Sequence, residues 1–235
     1  MKVKAVLFDL DGTLLPMDQD VFIQAYFKLL AIKLAPKGYE PRKLVESLHV
    51  GVAAMVKNDG QRLNEDAFWE EFGRIYGKES LEDKVFFDEF YTKEFHGARE
   101  VCGSSPASVE VVRMLQEKGK TVVLATNPVF PAVATRSRMG WVGLVPEDFA
   151  LVTTYENSHY CKPNPDYYRE ILETINCRPE ECLMVGNDVG EDMVAAQLGM
   201  QVFLLTDCLI NRKGADISRY PHGGFEELKL FLQDI

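Results

Sequence analysis

The chain contains, near its start, the segment Val3-Lys4-Ala5-Val6-Leu7-Phe8-Asp9-Leu10-Asp11-Gly12-Thr13. The part from Val3 to Phe8 is short, apolar and β-branched-rich, which is typical of a strand buried in a parallel sheet. Two carboxylates, Asp9 and Asp11, come directly after it, and Gly12 permits a tight turn at the exit. We therefore expect a buried strand that places two acidic side chains at one edge of a sheet.

Further runs of the same kind predict four more strands: Thr121 to Ala125, Phe149 to Thr153, Cys182 to Val185 and Gln201 to Leu205. Helix-length segments separate these runs. Ser105 before Pro106, and Asn164 before Pro165, each place a capping side chain ahead of a proline at the first helical position. Strands that alternate with helices imply right-handed crossovers, so we predict an α/β fold with a doubly wound parallel sheet and a Rossmann-like core.

The connection between the first two predicted strands is much longer than the roughly dozen residues that a crossover needs. Within residues 15–99 the apolar spacing is helical, as at Phe22, Tyr26 and Leu30. Turn residues at Pro36-Lys37-Gly38 and Asn58-Asp59-Gly60 separate these helices. We predict a helical cap domain over residues 15–99, inserted into a catalytic core formed by residues 1–14 and 100–235.

Two further expectations concern this cap. Ser80 with Asp83 resembles a capping box that starts a fourth helix. Aromatic rings more often fill a core than line a substrate site, so we assign the following side chains to packing: Trp69, Phe86, Phe87 and Tyr91. Substrate selectivity should come from cap loops that close over the site, but the sequence nominates no residue for it.

The composition is that of an ordinary globular protein, with 46% hydrophobic and 26% charged residues among 235. The formal net charge of -10 argues against nucleic-acid binding, which relies on Lys and Arg to neutralise phosphates. The five cysteines form no CxxC pair, so reduced thiols are expected. The first apolar run ends at Asp9, too early for a signal peptide or a membrane span. We expect a cytoplasmic protein that binds neither nucleic acid nor membranes.

Loops at the carboxyl ends of the predicted strands carry the residue types that perform chemistry. Asp9 and Asp11 follow the first strand, and Thr126-Asn127 follows the second. Lys162 lies in the loop after the third strand, and Asp188 follows the fourth. The carboxyl ends of strands in an open parallel sheet share one edge, where ligands bind. Residues far apart in the sequence should thus converge on one crevice.

The carboxylates of Asp9 and Asp11 can divide the work of a displacement at phosphorus. One can attack and form an acyl-phosphate, while the other protonates the leaving oxygen and later deprotonates water. An acidic turn is the plain structural alternative, since Asp and Gly favour turns. A calcium-binding EF-hand loop is excluded because Gly12 falls too early.

Three other side chains are candidates for phosphate binding: Thr126, Asn127 and Lys162. Thr126 and Asn127 offer hydroxyl, amide and backbone donors, although helix capping before Pro128 is the simpler interpretation of that pair alone. Lys162 lies between conformationally restricted residues and could neutralise the nucleophile and the transferring phosphoryl group. A lone lysine is ordinarily a solvated surface charge, so its position carries the argument.

Asp188 and Asp192 stand four residues apart at a predicted strand-to-helix junction, where both can face the crevice. Magnesium prefers a few carboxylates together with water and phosphate oxygens. Asp9 with Asp188 would supply the hard anionic ligands for Mg2+. Acidic residues are also favoured at helix N-termini for electrostatic reasons, which is the structural alternative for this pair.

With these residues in place, the chain resembles the haloacid dehalogenase superfamily, in particular phosphatase-like members with a helical cap inserted after the first strand. The resemblance covers essentially the whole chain. The superfamily's four motifs match Asp9-Leu10-Asp11-Gly12-Thr13, Thr126, Lys162, and Asp188 with Asp192. Two positions depart from related enzymes. Pro16 stands where phosphoglycolate phosphatases and sugar phosphomutases often carry Asp, and Asn187 precedes Asp188 in place of the commoner Gly.

The resemblance implies a role for each matched residue. Asp9 is the nucleophile and Asp11 the general acid/base. The side chains of Asp9 and Asp188, with the carbonyl of Asp11, bind Mg2+, and Asp192 supports that site. The transferring phosphoryl group is held by Thr126, Asn127 and Lys162.

True dehalogenases of the superfamily lack the second Asp of the first motif and need no metal, so Asp11 argues for phosphate chemistry. The resemblance therefore implies a magnesium-dependent phosphatase that acts on a small phosphorylated metabolite through an aspartyl-phosphate. No protein partner can be inferred. Two alternatives remain: a phosphomutase of the β-phosphoglucomutase type, and a catalytically silent binding protein on the same fold.

Overall fold

Six parallel strands form one sheet at the centre of the structure, a computed structural model that describes residues 2–235. The strands are β1 Ala5–Phe8, β2 Thr121–Leu124, β3 Leu151–Val152, β4 Cys182–Gly186, β5 Gln201–Leu205 and β6 His222–Gly223. Their order is β3-β2-β1-β4-β5-β6, and all neighbouring pairs are parallel. The predicted doubly wound α/β fold is confirmed, with β1 between β2 and β4.

The sheet differs from the prediction at its two edges. β3 is shorter than the predicted run from Phe149 to Thr153, and β6 was missed. His222 and Gly223 have no apolar pattern, so local sequence gives no signal for a strand there. The pairing arises from the tertiary path of the chain, which brings this segment beside β5 so that Leu204 N–H donates to Pro221 O at 2.9 Å.

Helices flank the sheet and fill its connections. The α-helices are α1 Gln19–Leu34, α2 Pro41–Val56, α3 Asn64–Tyr76, α4 Lys84–Thr92, α5 Pro106–Glu117, α6 Ala132–Trp141, α7 Pro165–Thr174 and α8 Phe225–Gln233. Short 3-10 helices lie at Ala35–Lys37, Lys78–Asp83, Glu94–Val101, Pro146–Asp148, Pro179–Glu181 and Met193–Leu198. Both predicted helix starts are confirmed. Ser105 Oγ accepts a hydrogen bond from Ser108 N–H (3.3 Å), and Asn164 Oδ1 accepts one from Asp166 N–H (2.9 Å).

The insertion between β1 and β2 is helical, as its apolar spacing predicted, and contains α1 to α4. Its predicted turns contain Gly38 and Gly60, with φ of 89° and 85°, values in the left-handed region that favours glycine. The expectation for Ser80 and Asp83 is wrong. Both lie in the 3-10 helix before α4, and Ser80 Oγ donates to Gly77 O at 2.7 Å, so that no capping box forms there.

The insertion and one face of the sheet share a continuous apolar core. Phe22 and Tyr26 of α1 pack on Trp141 and Phe130, with ring centroids 6.3 Å and 5.4 Å apart. Trp69, Phe87 and Tyr91 are also buried, and the partly buried Phe86 packs against the same core, which confirms their packing role. Each buried ring contributes about 1.5–3 kcal/mol. Phe130 lies in the segment that follows the carboxyl end of β2, and Trp141 lies in α6 directly after it. The packing of α1 on these two rings therefore fixes the insertion over the carboxyl ends of the strands.

Hydrogen bonds also fasten the start of α3 to the loop that carries Lys162. The backbone N–H groups of Asn64 and Glu65 donate to Ser158 O and Tyr155 O, both at 2.9 Å. The buried Asn64 side chain donates to Tyr160 O at 3.2 Å. The insertion is thus anchored within two residues of Lys162.

Within residues 2–235, no helix combines the length and apolarity needed to cross a membrane.

Candidate active site

Asp9 occupies the middle of the sheet edge at which the carboxyl ends of the strands meet. Its backbone N–H donates to Val185 O of β4 at 2.9 Å, and Ala125 N–H donates to Phe8 O at 2.7 Å. The loops after β1, β2 and β4 therefore start side by side. Only 7% of Asp9 is exposed. The sheet register, rather than a mobile loop, holds this carboxylate in position.

The turn after β1 depends on Gly12, whose φ is +86°. A Cβ atom at this position would lie 2.3 Å from Nδ2 of Asn187, so a side chain here would displace Asn187. Asn187 Nδ2 donates to Cys208 O at 2.7 Å, and its Oδ1 lies 3.0 Å from Thr13 Oγ1. Thr13 Oγ1 also lies 3.3 Å from Asp9 Oδ2. Asn187, which departs from the commoner Gly, therefore braces the turn that follows the nucleophile candidate.

Lys162 links two carboxylates of the site. Its Nζ donates to Asp9 Oδ1 at 2.8 Å and to Asp192 Oδ1 at 2.7 Å, and the residue is 1% exposed. Burial acts to lower the pKa of Lys162, but the carboxylates of Asp192 and Asp9 outweigh it and hold the pKa well above its usual value. Lys162 thus places a positive charge between two carboxylates of an otherwise acidic chain.

Asp188 and Asp192 are arranged by the turn that follows β4. Asp188 N–H donates to Asp192 Oδ2 at 2.9 Å, while Asp188 Oδ1 accepts from the N–H groups of Gly190 (2.6 Å) and Glu191 (3.0 Å). Burial raises the pKa of Asp192 to about 6, and Lys162 opposes that rise. Asp192 therefore orients both Lys162 and the backbone at Asp188.

The oxygen atoms of this edge fit a magnesium ion. Asp9, Asp11 and Asp188 line one narrow crevice of about 30 Å³, which is room for an ion or for about one water molecule at ~30 Å³. No group of three or more His, Cys, Asp or Glu residues within 2–235 could hold a metal by itself. Mg2+ does not require such a group, because it keeps several waters and binds through one or two carboxylates plus phosphate oxygens. The donor set is therefore suited to Mg2+ rather than to an all-protein metal cage.

Thr126 and Asn127 lie in the same crevice, at the end of β2. Thr126 is 2% exposed, and its carbonyl accepts a hydrogen bond from Thr153 Oγ1 at 2.7 Å. Asn127 Nδ2 donates to Glu191 Oε2 at 3.0 Å, and its Oδ1 accepts from Lys162 N–H at 3.2 Å. Asn127 thereby ties together the loops after β2, β3 and β4.

The structural alternatives for Thr126, Asn127 and Lys162 are not realised. Thr126 and Asn127 do not cap α6, which begins at Ala132 without a side-chain cap. Lys162 is buried rather than solvated, and Asp192 directs its carboxylate to that lysine. All seven predicted site residues meet at one sheet edge, while their chemical roles stay predictions.

The partly buried carboxyl group of Asp11 contacts the buried guanidinium of Arg138 on α6. Arg138 has no exposed surface, its guanidinium carbon lies 4.3 Å from the ring centroid of Phe130, and it donates to Thr135 Oγ1 at 3.2 Å. Burial raises the pKa of Asp11; Arg138 lowers it and Asp9 raises it further, so that the net shift is upward. Asp11 Oδ1 has no hydrogen-bond partner within residues 2–235. The two carboxylates of the motif thus have different environments.

The sequence-based prediction missed Arg138 and Glu191. Arg138 lies inside a helix that also contains Arg136, and only the packing of α6 shows which of the two is buried. Glu191 lies between Asp188 and Asp192 and lines the crevice, and burial raises its pKa to about 7. The acidic run was visible in the sequence, but the direction of each side chain was not.

A second, apolar cavity of about 290 Å³ adjoins the crevice. It is bounded by α1 to α4 of the insertion and by the segment between β2 and α6. Its aromatic lining consists of Tyr26, Phe27, Phe68, Trp69, Phe87, Tyr91, Phe130 and Tyr155. Asp11, Gln19, Asn127 and Glu191 line both spaces, so the cavity and the crevice meet beside Asp11. Several rings assigned to packing therefore have a second role as cavity walls.

The family model for haloacid dehalogenase-like hydrolases matches residues 3–199. The pyrophosphatase PpaX of Bacillus cereus is 26% identical over 197 residues, which cover 84% of this chain and 80% of the relative.

Two solved structures share the fold. A 2-haloacid dehalogenase of Pseudomonas syringae has 22% identity and a TM-score of 0.64, with 99% of each chain covered. A HAD phosphatase of Thermococcus onnurineus has 20% identity and a TM-score of 0.60, with 99% of this chain and 98% of that chain covered. These two likenesses establish the fold alone. Because the family model spans most of the chain, the chain belongs to the haloacid dehalogenase-like hydrolases and is an enzyme of that family.

Proposed function

We propose that this enzyme is a magnesium-dependent phosphatase that hydrolyses a small phosphorylated metabolite through an aspartyl-phosphate on Asp9. The observation that carries the proposal is one crevice lined by both Asp9 and Asp11, with the buried ammonium group of Lys162 2.8 Å from Asp9. A relative that acts as a pyrophosphatase adds support for phosphoryl chemistry. We place the enzyme in the cytoplasm.

In the first step, a carboxylate oxygen of Asp9 attacks phosphorus, and the bond between phosphorus and the ester oxygen breaks. Asp11 gives its proton to that ester oxygen, so the alcohol leaves as a neutral molecule. Thr126, Asn127 and Lys162 hold the phosphoryl oxygens, and Lys162 balances the charge that gathers there.

In the second step, a water molecule attacks the phosphorus of the aspartyl-phosphate. Asp11, now ionised, takes a proton from that water, and the bond between phosphorus and the Asp9 oxygen breaks. Inorganic phosphate leaves, and Asp9 is again a carboxylate while Asp11 is again an acid. The enzyme returns to its starting protonation state.

The residues that would hold Mg2+ are Asp9 and Asp188 through their side chains and Asp11 through its carbonyl, with Asp192 in support. When bound, Mg2+ supplies charge neutralisation and orientation of the phosphoryl group. Residues 15–99 act in this proposal as a cap that covers the crevice and excludes bulk water, with residues 1–14 and 100–235 as the catalytic core.

Metal removal is the experiment that tests this function. After treatment with EDTA and exchange into metal-free buffer, we expect turnover of an aryl phosphate to fall at least about 1000-fold, the equivalent of several kcal/mol in the barrier. Mg2+ should restore it. Full activity without a divalent metal would contradict the proposal. Interconversion of sugar phosphates faster than phosphate release would favour the mutase, and binding without turnover would favour a silent protein.

Arg138 is expected to act as a positioning residue for Asp11. In Arg138→Met the unpaired Asp11 carboxyl can turn away from the ester oxygen, so kcat/KM for an alkyl phosphate should fall about 100-fold, within the range of general acid catalysis. The quantity kcat/KM for 4-nitrophenyl phosphate should fall much less, because nitrophenolate leaves without a proton. Arg138→Lys should recover part of the loss. Equal losses on both esters would show that Arg138 serves only the fold.

A further inference from the structure

The wall of the apolar cavity is poor in basic residues. No Lys or Arg side chain in the part of the chain that the structure describes lines its wall, and the carboxylates there are Asp11 and Glu191. His49 is the only basic residue on this wall within residues 2–235. A second phosphate, as in pyrophosphate or a sugar bisphosphate, would be desolvated beside carboxylates without an ammonium or guanidinium partner. Burial of such an unpaired charge is strongly unfavourable.

Four polar groups on the wall of the cavity, from Tyr26, Tyr91, Trp69 and Tyr155, bond to one another in two pairs. Tyr26 and Tyr91 join their hydroxyls at 2.7 Å, and Trp69 Nε1 donates to Tyr155 OH at 3.4 Å. A polyhydroxylated group placed among these rings would leave most of its hydroxyls without partners. A buried hydroxyl without a hydrogen-bond partner is unfavourable, because it has lost its bonds to water. Sugar-like leaving groups therefore suit this space poorly.

The cavity lies on the side of the crevice where the leaving group must be. Asp11 lines both spaces, and in the proposed function it protonates the ester oxygen. The atoms attached to that oxygen thus extend from Asp11 into the cavity, while the phosphoryl group stays with Asp9 and Lys162. The volume of about 290 Å³ corresponds to roughly ten water molecules at ~30 Å³ each.

We propose that the substrate is the phosphate monoester of an uncharged, largely apolar alcohol or phenol of roughly ten non-hydrogen atoms. This inference rests on the proposed function and names its substrate class. In the reaction the bond from phosphorus to the ester oxygen breaks, that oxygen takes the Asp11 proton, and the neutral alcohol lies among the aromatic rings until it leaves.

The test compares esters that differ in polarity and have similar size and leaving-group basicity. Cyclohexylmethyl phosphate and glucose 6-phosphate form the matched pair, with benzyl phosphate, glycerol 3-phosphate and pyrophosphate beside them. We expect kcat/KM for cyclohexylmethyl and benzyl phosphate to exceed that for glucose 6-phosphate, glycerol 3-phosphate and pyrophosphate. The difference should be at least about 100-fold, which is about 2.7 kcal/mol. A preference for glucose 6-phosphate, glycerol 3-phosphate or pyrophosphate overturns the inference.

A pair of substitutions on α2 links that preference to the cavity. Val52 lines the cavity, whereas Val50, on the same helix, is 45% exposed and does not line it. Val52→Phe should lower the ratio of kcat/KM for cyclohexylmethyl phosphate over methyl phosphate at least about tenfold, since one added ring removes much of the space. Val50→Phe should leave the ratio unchanged. An unchanged ratio in Val52→Phe would place the leaving group elsewhere.

The outcomes separate this inference from the function on which it rests. If polar esters are hydrolysed faster than apolar ones, the enzyme is a phosphatase but the substrate class is wrong. If no ester in the panel is hydrolysed in the presence of Mg2+, the proposed function fails and the inference fails with it.

Discussion

Replacement of Asp9 by Asn is expected to lower kcat/KM by about four orders of magnitude or more, because loss of a nucleophile removes the covalent route altogether. The amide of Asn is uncharged and a poor nucleophile. The substitution is nearly isosteric, and Lys162 keeps its 2.7 Å contact with Asp192, so the fold should persist. Steady-state assays with cyclohexylmethyl and aryl phosphates measure the loss.

Two further measurements identify the cause of that loss. Acid-quenched wild-type enzyme should carry a phosphoryl group on the peptide that contains Asp9, and Asp9→Asn should carry none. Asp59→Asn provides the same chemical change at an exposed turn and should retain full activity. Activity of Asp9→Asn within tenfold of the wild type would exclude Asp9 as the nucleophile.

Replacement of Lys162 by Met is expected to have the largest effect on stability. Asp9 and Asp192 would lose the cation that they share in a site where Lys162 is 1% exposed. Removal of one partner from a buried ion pair costs about 3–5 kcal/mol, since it leaves uncompensated charge. For a chain of this size the melting temperature should fall by about 6–20 °C. Thermal unfolding followed by circular dichroism measures the shift.

Two variants control for the Lys162→Met result. Lys93→Met removes an exposed lysine that lies 2.8 Å from Glu89 and should change stability by less than about 1 kcal/mol. Lys162→Met combined with Asp192→Asn removes one of the stranded charges and should recover part of the lost stability. If Lys162→Met melts within a degree of Lys93→Met, the buried ion pairs do not stabilise this edge of the sheet.

Some features of this fold follow from local sequence, and others depend on contacts between distant segments. The strand before Asp9, the caps at Ser105 and Asn164, and the glycine turns follow from side-chain chemistry within a few residues, and the structure confirms them. The convergence of Asp9 with Lys162 was also predictable, because the carboxyl ends of parallel strands share one edge whatever lies between them.

Other features depend on how separate elements pack. The pairing of Arg138 with Asp11 depends on the rotation of α6 against the insertion, and a sequence that offers both Arg136 and Arg138 cannot specify that rotation. The role of Asn187 also depends on packing, which brings its side chain against Gly12.

The residues of the candidate active site could thus be predicted from the sequence. A strand end positions Asp9 and Asp11 locally, and the sheet topology positions the other site residues. The space that receives the leaving group is formed only in the folded molecule. Its wall combines rings from α1 to α4 with Phe130 and Tyr155 of the core, and the shape of a cavity depends on packing between segments rather than on any local pattern.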